Sequence, residues 1–186
     1  DLTWAIDRDT LPIMGIVGGT PQMSRNDGQS SYGNLTAIGE SPRDAALIYT
    51  GSDDGRVHVT RDGGATWTDI TDRFEDLPAF TYVTRIVASG EAAGRVHIAF
   101  DGPRNDDFNP YIYSSENFGQ DWEPMTSGLP MSPISALTEH PDNANLLFAG
   151  NEMGVYVSAD VGQNWVRMKN NLPTVPVDDI KIHPRE

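Results

Sequence analysis

The sequence predicts an all-β protein built from β-propeller blades, and three observations carry that expectation. A box of the form Ser/Thr-x-Asp/Asn-x-Gly-x-x-Trp occurs three times, at 60–67 (TRDGGATW), 115–122 (SENFGQDW) and 158–165 (SADVGQNW). Short β-rich apolar runs flank each box in the same order. No stretch of useful length carries the 3.6-residue period of an amphipathic helix. A unit of roughly 40–50 residues holding four short strands is the mark of a propeller blade.

The first unit opens at 35–38 (LTAI), continues at 46–51 (ALIYTG) and 56–59 (RVHV), and closes after its Trp at 68–70 (TDI). The second has corresponding runs at 84–88, 95–100 and 111–113. The third has them at 135–138, 146–150, 155–157 and 166–168. Turn-forming clusters separate them: SPRD at 41–44, DDG at 53–55, HPDN at 140–143 and NEMG at 151–154. Three blades are expected, at 34–80, 81–131 and 132–176. The text at 177–184 (VDDIKIHP) matches that at 135–141, so 177–186 is expected to be the first strand of a further blade. Residues 1–33 fit no blade and are expected to be an irregular segment, the tail of a preceding blade followed by a long loop.

Composition narrows the function classes. The 186 residues include 13 Lys plus Arg against 27 Asp plus Glu, a formal net charge of −14. Nucleic acid is a poor partner for such a chain, because phosphate binding needs a basic face. Docking on anionic membranes is disfavoured for the same reason. No apolar run approaches the roughly 20 residues that cross a bilayer, so membrane insertion is not expected. Hydrophobic content of 38% with 18 glycines is that of a folded globular chain. There is no cysteine, which excludes disulfides, thiolate catalysis and Cys-based zinc sites. The chain begins at Asp1 without Met, as a processed chain or an excerpt would.

The three boxes and their intervening strands, over about 34–176, resemble the Asp-box or BNR repeat. That repeat occurs in sialidases, xyloglucan-cleaving glycoside hydrolases, sortilin-type receptors and large exported bacterial glycosyl hydrolase-like propeller proteins. The text from 150–158 (GNEMGVYVS) through 170–184 (NNLPTVPVDDIKIHP) is similar to the last group. The resemblance implies a propeller and an exported location, periplasmic or extracellular in a bacterium. It also brings in carbohydrate as a ligand class.

The box itself reads as structure. The hydroxyls of Thr60, Ser115 and Ser158 and the side chains of Asp62, Asn117 and Asp160 are placed to bond turn amides. Gly64, Gly119 and Gly162 supply positive φ. Trp67, Trp122 and Trp165 are expected to pack between neighbouring sheets. The alternative is a carbohydrate-stacking or metal site. Asn at 117 favours structure, because it keeps the acceptor and drops the charge.

Candidate ligand-binding residues fall in the loops between second and third strands. They are Asp53, Asp54 and Arg56; Arg104, Asn105, Asp106 and Asp107, with Asn109 nearby; and Asn151 and Glu152. These loops are expected to gather on one face, opposite the boxes. Converging oxygens there would suit Ca²⁺, and paired carboxylates would suit glycoside hydrolysis. The competing reading is a set of solvated turns, since Asp and Asn are ordinary turn formers, and the D-x-D-x-D-G calcium spacing is absent. His58 and His97 read as residues lining sheet faces, and His140 and His183 as repeat residues before Pro, without metal-ligand spacing. The sequon at Asn34-Leu35-Thr36 enters a predicted strand and is read as chance. No GxSxG, P-loop or sialidase-type arginine cluster identifies catalysis.

Two functions are consistent with these readings. One is a non-catalytic propeller segment serving as a binding or assembly scaffold, paired with a second copy or with the remainder of a longer chain, and taking a protein or carbohydrate ligand. The other is a fragment of a glycoside hydrolase using the acidic loops.

Overall fold

Twelve strands form three sheets, each a four-stranded antiparallel meander, in a computed structural model that describes residues 1–4, 10–11, 17–18 and 33–183. The first sheet holds β1 (Leu35–Ser41), β2 (Asp44–Ser52), β3 (Val57–Thr60) and β4 (Thr68–Asp69). The second holds β5 (Tyr82–Ala88), β6 (Val96–Gly102), β7 (Asp107–Ser115) and β8 (Glu123–Pro124). The third holds β9 (Ile134–His140), β10 (Asn143–Asn151), β11 (Gly154–Ser158) and β12 (Val166–Arg167). The fold is all-β with propeller-like blades. No helix of the described residues is long and apolar enough to cross a membrane.

The two-residue period of a strand divides the side chains between two cores. On β6, Ile98 and Phe100 enter a core shared with the first sheet, while Ala99 enters one shared with the third. On β7, Tyr113 joins the first core and Ile112 the second. Leu47, Tyr49, Val57 and Val59 supply the first sheet's side of the first core. Leu137, Leu147, Ala149 and Tyr156 supply the third sheet's side of the second. Each large apolar side chain buried this way contributes roughly 1.5–3 kcal/mol.

The opening strands lie side by side and are stitched across sheets. Thr36 Oγ1 donates to the Val83 carbonyl at 2.9 Å. Thr84 Oγ1, at the corresponding place on β5, donates to the Ile134 carbonyl at 2.9 Å. Close approach requires a missing side chain: a Cβ at Gly51 would stand 2.3 Å from Val83 Cγ1. At Gly150 a Cβ would stand 2.8 Å from Val177 Cγ1. Val177 thus sits on the third sheet as Val83 sits on the first.

Further bonds anchor the stretch beyond the third sheet. The Val177 amide donates to the Asn151 carbonyl at 3.0 Å, and Arg85 Nη2 donates to the Asp178 carbonyl at 2.8 Å. The stretch 177–183, expected to open a further blade, forms no strand ladder. A ladder needs a neighbouring strand, and no described strand comes after it. Most of 1–33, together with 184–186, lies outside the described residues.

Candidate functional site

The meander places the β3–β4 type of hairpin at one end of each sheet and the β2–β3 type at the other. The three boxes therefore occupy one end, and the acidic loops the opposite end.

At the box end one hydrogen-bond network is built three times. The amides of Gly64, Gly119 and Gly162 donate to Thr60 Oγ1, Ser115 Oγ and Ser158 Oγ at 2.9, 2.9 and 2.8 Å. Each hydroxyl in turn donates to the Oδ1 of Asp62, Asn117 or Asp160, at 2.7, 3.0 and 2.7 Å. That same oxygen accepts the amides of Thr66, Asp121 and Asn164 at 2.8, 3.0 and 2.9 Å. Hydrogen bonds from Thr66 hold the Asp62 carboxyl down at about 2, and those from Asn164 and Ser158 do the same for Asp160. Two successive left-handed residues complete each turn. The first of each pair is Gly63, Phe118 or Val161, with φ of 69°, 63° and 60°.

The tryptophans divide. Trp122 is buried in the first core against Phe74, and Trp165 in the second. Each packs on the sheet before its own. Trp67, expected between sheets as well, is only half-buried, because no described sheet precedes the first.

At the opposite end the acidic residues are used individually. Asp53 is buried, and its Oδ1 accepts the amides of Gly33 and Asn34, both at 2.7 Å. Its Oδ2 accepts the Asn34 side-chain amide at 3.0 Å, so this sequon nitrogen holds a turn together. Asp54 is wholly buried; it accepts from Ser52 Oγ and, at 2.6 Å, from the Trp4 amide. Arg56 reaches Asp69 at 2.5 Å and the carbonyls of Asp1 and Thr3. Residues 1–4 are thereby tied to the first sheet.

In the second blade, Arg104 pairs with Asp101 at 3.1 Å and covers the Tyr82 ring at 4.1 Å. Burial pushes the Asp101 carboxyl up, and Arg104 opposes it. Asn105 donates to the Phe80 carbonyl at 3.4 Å, and Asp106 takes the left-handed conformation at φ 61°. Asp107 accepts from Asn109 and, at 2.7 Å, from the Tyr111 hydroxyl. In the third blade, Asn151 is buried and accepts the Met153 amide at 2.8 Å, while Glu152 is exposed. The expectation of solvated turns is therefore corrected for Asp53, Asp54 and Asn151. A buried carboxylate must be hydrogen-bonded, and here the chain itself supplies the donors. Among the described residues, no three His, Asp or Glu side chains are grouped to hold a metal ion.

The histidines keep to the sheets. His58, on β3, lies 3.7 Å from Asp69. Burial pushes its pKa down, with Asp69 opposing. His97, on β6, is fully buried, with Nε2 3.8 Å from Glu139 Oε2. Glu139 also accepts from Ser89 Oγ and the Gly90 amide, both at 2.9 Å. Its burial raises the pKa, but His97 and these donors outweigh it and hold the carboxyl down. Sequence reasoning missed Asp69 and Glu139 because their ion-pair partners, Arg56 and His97, are distant in the chain, and it missed Asp101 although Arg104 is local. The one available signal was the Asp101–Arg104 spacing of three.

Comparison with known proteins places the fold. No protein-family model matches the chain, and no curated protein matches it. Among solved structures it is similar to YCF48 from Cyanidioschyzon merolae, at 21% identity and TM-score 0.53, over 71% of this chain and 36% of that one. It is similar to YCF48 bound to D1 peptide, at 17% identity and TM-score 0.56, over 76% and 42%. It is also similar to an ancestral GH74 enzyme, at 21% identity and TM-score 0.60, over 80% and 21%. The chain thus spans well under half the length of each.

Proposed function

We propose that this chain is a non-catalytic β-propeller segment that serves as a binding and assembly scaffold. The observation that carries the reading is an apolar row on the open face of the third sheet. Leu147 and Ala149 point into the second core, so Phe148 points the other way. Val157 is the register partner of Phe148, and Val166 that of Val157. Val166 is 65% exposed, while Phe148 and Val157 are half-buried. A contiguous apolar row of this kind marks an interface. Val177, seated on Gly150 at its inner edge, extends the same face. We infer that the row receives a further blade, from a second copy or from another part of a longer polypeptide.

The engaged loop carboxylates support a non-catalytic role. Glycoside hydrolysis needs two carboxyls free to exchange protons or attack, about 5–5.5 or 6.5–9.5 Å apart. Asp53, Asp54 and Asp107 are instead consumed by internal donors. The GH74 likeness, at this identity, concerns fold. The YCF48 structure with a peptide makes a protein ligand a natural candidate. The three identical turn networks support reading the boxes as Asp-box repeats, and with that an exported location. Reducing-sugar release from a β-glucan panel including xyloglucan tests the non-catalytic claim. No turnover is expected, and clear turnover would overturn it.

A further inference from the structure

Between the outer edges of the second and third sheets lies a cleft of about 480 Å³. Its floor is Ser114. The neighbouring Tyr113 enters the first core, so Ser114 faces the third sheet. Ser114 is 7% exposed, and its Oγ has no hydrogen-bond partner among the described residues. Glu123 on β8, the register partner of Ser114, forms one wall. The second box adds Glu116, Asn117 and Asp121, and the third adds Val161 and Gln163.

The charge in the cleft is unbalanced. Arg95 is matched by Glu116 at 2.6 Å. The Asp121 carboxylate is bonded by the neutral Asn117 amide, at 2.7 Å. Glu123 has no ion pair among the described residues. Two carboxylates, Asp121 and Glu123, therefore line a cleft together with a buried hydroxyl, Ser114 Oγ, that has no hydrogen-bond partner among the described residues. Met125 adds an apolar surface beside them.

We propose that this cleft binds the ammonium group of a lysine side chain presented by a protein segment. A buried hydroxyl is stabilised only when bonded, and an ammonium offers three donors to satisfy Ser114 and the two carboxylates together. Floor and wall acceptors approach from different elements. That spread suits a compact ammonium better than the planar fork of a guanidinium, which favours one coplanar carboxylate. The four-carbon stem packs on Met125 and Val161, as amphipathic side chains do. The proposal names a partner chemistry for the scaffold reading and rests on it only for the partner being a protein.

The test is an NMR titration of the whole chain with the blocked pentapeptide Gly-Gly-Lys-Gly-Gly, at an ionic strength that screens distant charges. Saturable shifts are expected at Glu123, Met125 and Gln163. The same peptide with an acetylated lysine should produce none. Glu123→Gln, an exposed change that leaves the fold intact, and Ser114→Ala should each weaken binding at least about fivefold. Glu40→Gln, on the exposed side of β1, should not. Shifts that spread over the acidic surface, survive acetylation or ignore both cleft variants would overturn the proposal. Sugar release reads the scaffold claim separately, so either can fail alone.

Discussion

The indole Nε1–H of Trp165 donates a 2.8 Å hydrogen bond to the main-chain carbonyl of Met125, across the boundary between the second and third blades. Trp122 crosses the previous boundary by packing on Phe74, with ring centroids 4.7 Å apart. The box tryptophan thus fastens each of these blades to the one before it. Trp122→Ala and Trp165→Ala should each cost about 3–5 kcal/mol, the usual loss for a buried aromatic. Trp67→Ala should cost clearly less. Urea denaturation of the three variants checks the order, and an equal loss at Trp67 would contradict it.

Val161 should be replaceable by glycine with a gain. A β-branched residue at φ 60° is held against its preference. The left-handed conformation costs an L-residue roughly 1–2 kcal/mol, and the first box already has Gly63 at this place. Val161→Gly should raise the melting temperature. Phe118→Gly should not, because Phe118 packs on the first core and carries Arg61 over its ring at 4.2 Å.

Gly51→Ala should destabilise by about 1–3 kcal/mol, since the new methyl meets Val83 and overpacks the contact of the first two blades. Chemical denaturation of the variant measures it. A neutral result would mean that β2 and β5 are spaced too widely for that contact.

The blade pattern was legible because the box and its strands repeat as text. Ser115, Asn117 and Gly119 could be assigned turn roles from residue chemistry alone, and in the structure they take part in the turn's hydrogen bonds. Partners distant in the chain could not be read. Asp53 is held by residues 19 and 20 positions away and Asp54 by one 50 away, so their burial was invisible. The left-handed Phe118 and Val161 gave no signal, because neither residue type favours positive φ. Trp67 is half-buried among the described residues, and its burial depends on a neighbouring sheet, which no local motif encodes. The stretch at 177–183 carries a strand's text but pairs with no strand among the described residues.

Acid should loosen the box turns. The carboxyls of Asp62 and Asp160 are lowered from an ordinary 3.8 to about 2. A group with a depressed folded pKa stabilises above its unfolded pKa, and that contribution is lost as pH falls from about 4 toward 2. Stability should therefore decline through this window. The double variant Asp62→Asn, Asp160→Asn keeps the acceptor, as Asn117 does, and should show a shallower decline. Urea midpoints from pH 5 to 2 compare the two proteins; parallel curves would remove the turns from the acid response.

Sedimentation velocity of the isolated chain across a wide concentration range addresses the scaffold reading most directly. If the Phe148–Val157–Val166 row is an assembly face, the isolated chain, separated from any other part of a longer polypeptide that would fill the row, associates with a second copy, and Val157→Glu shifts it to monomer without loss of fold. A wild-type chain that stays a compact monomer at every concentration, or a Val157→Glu variant that associates as before, would contradict it.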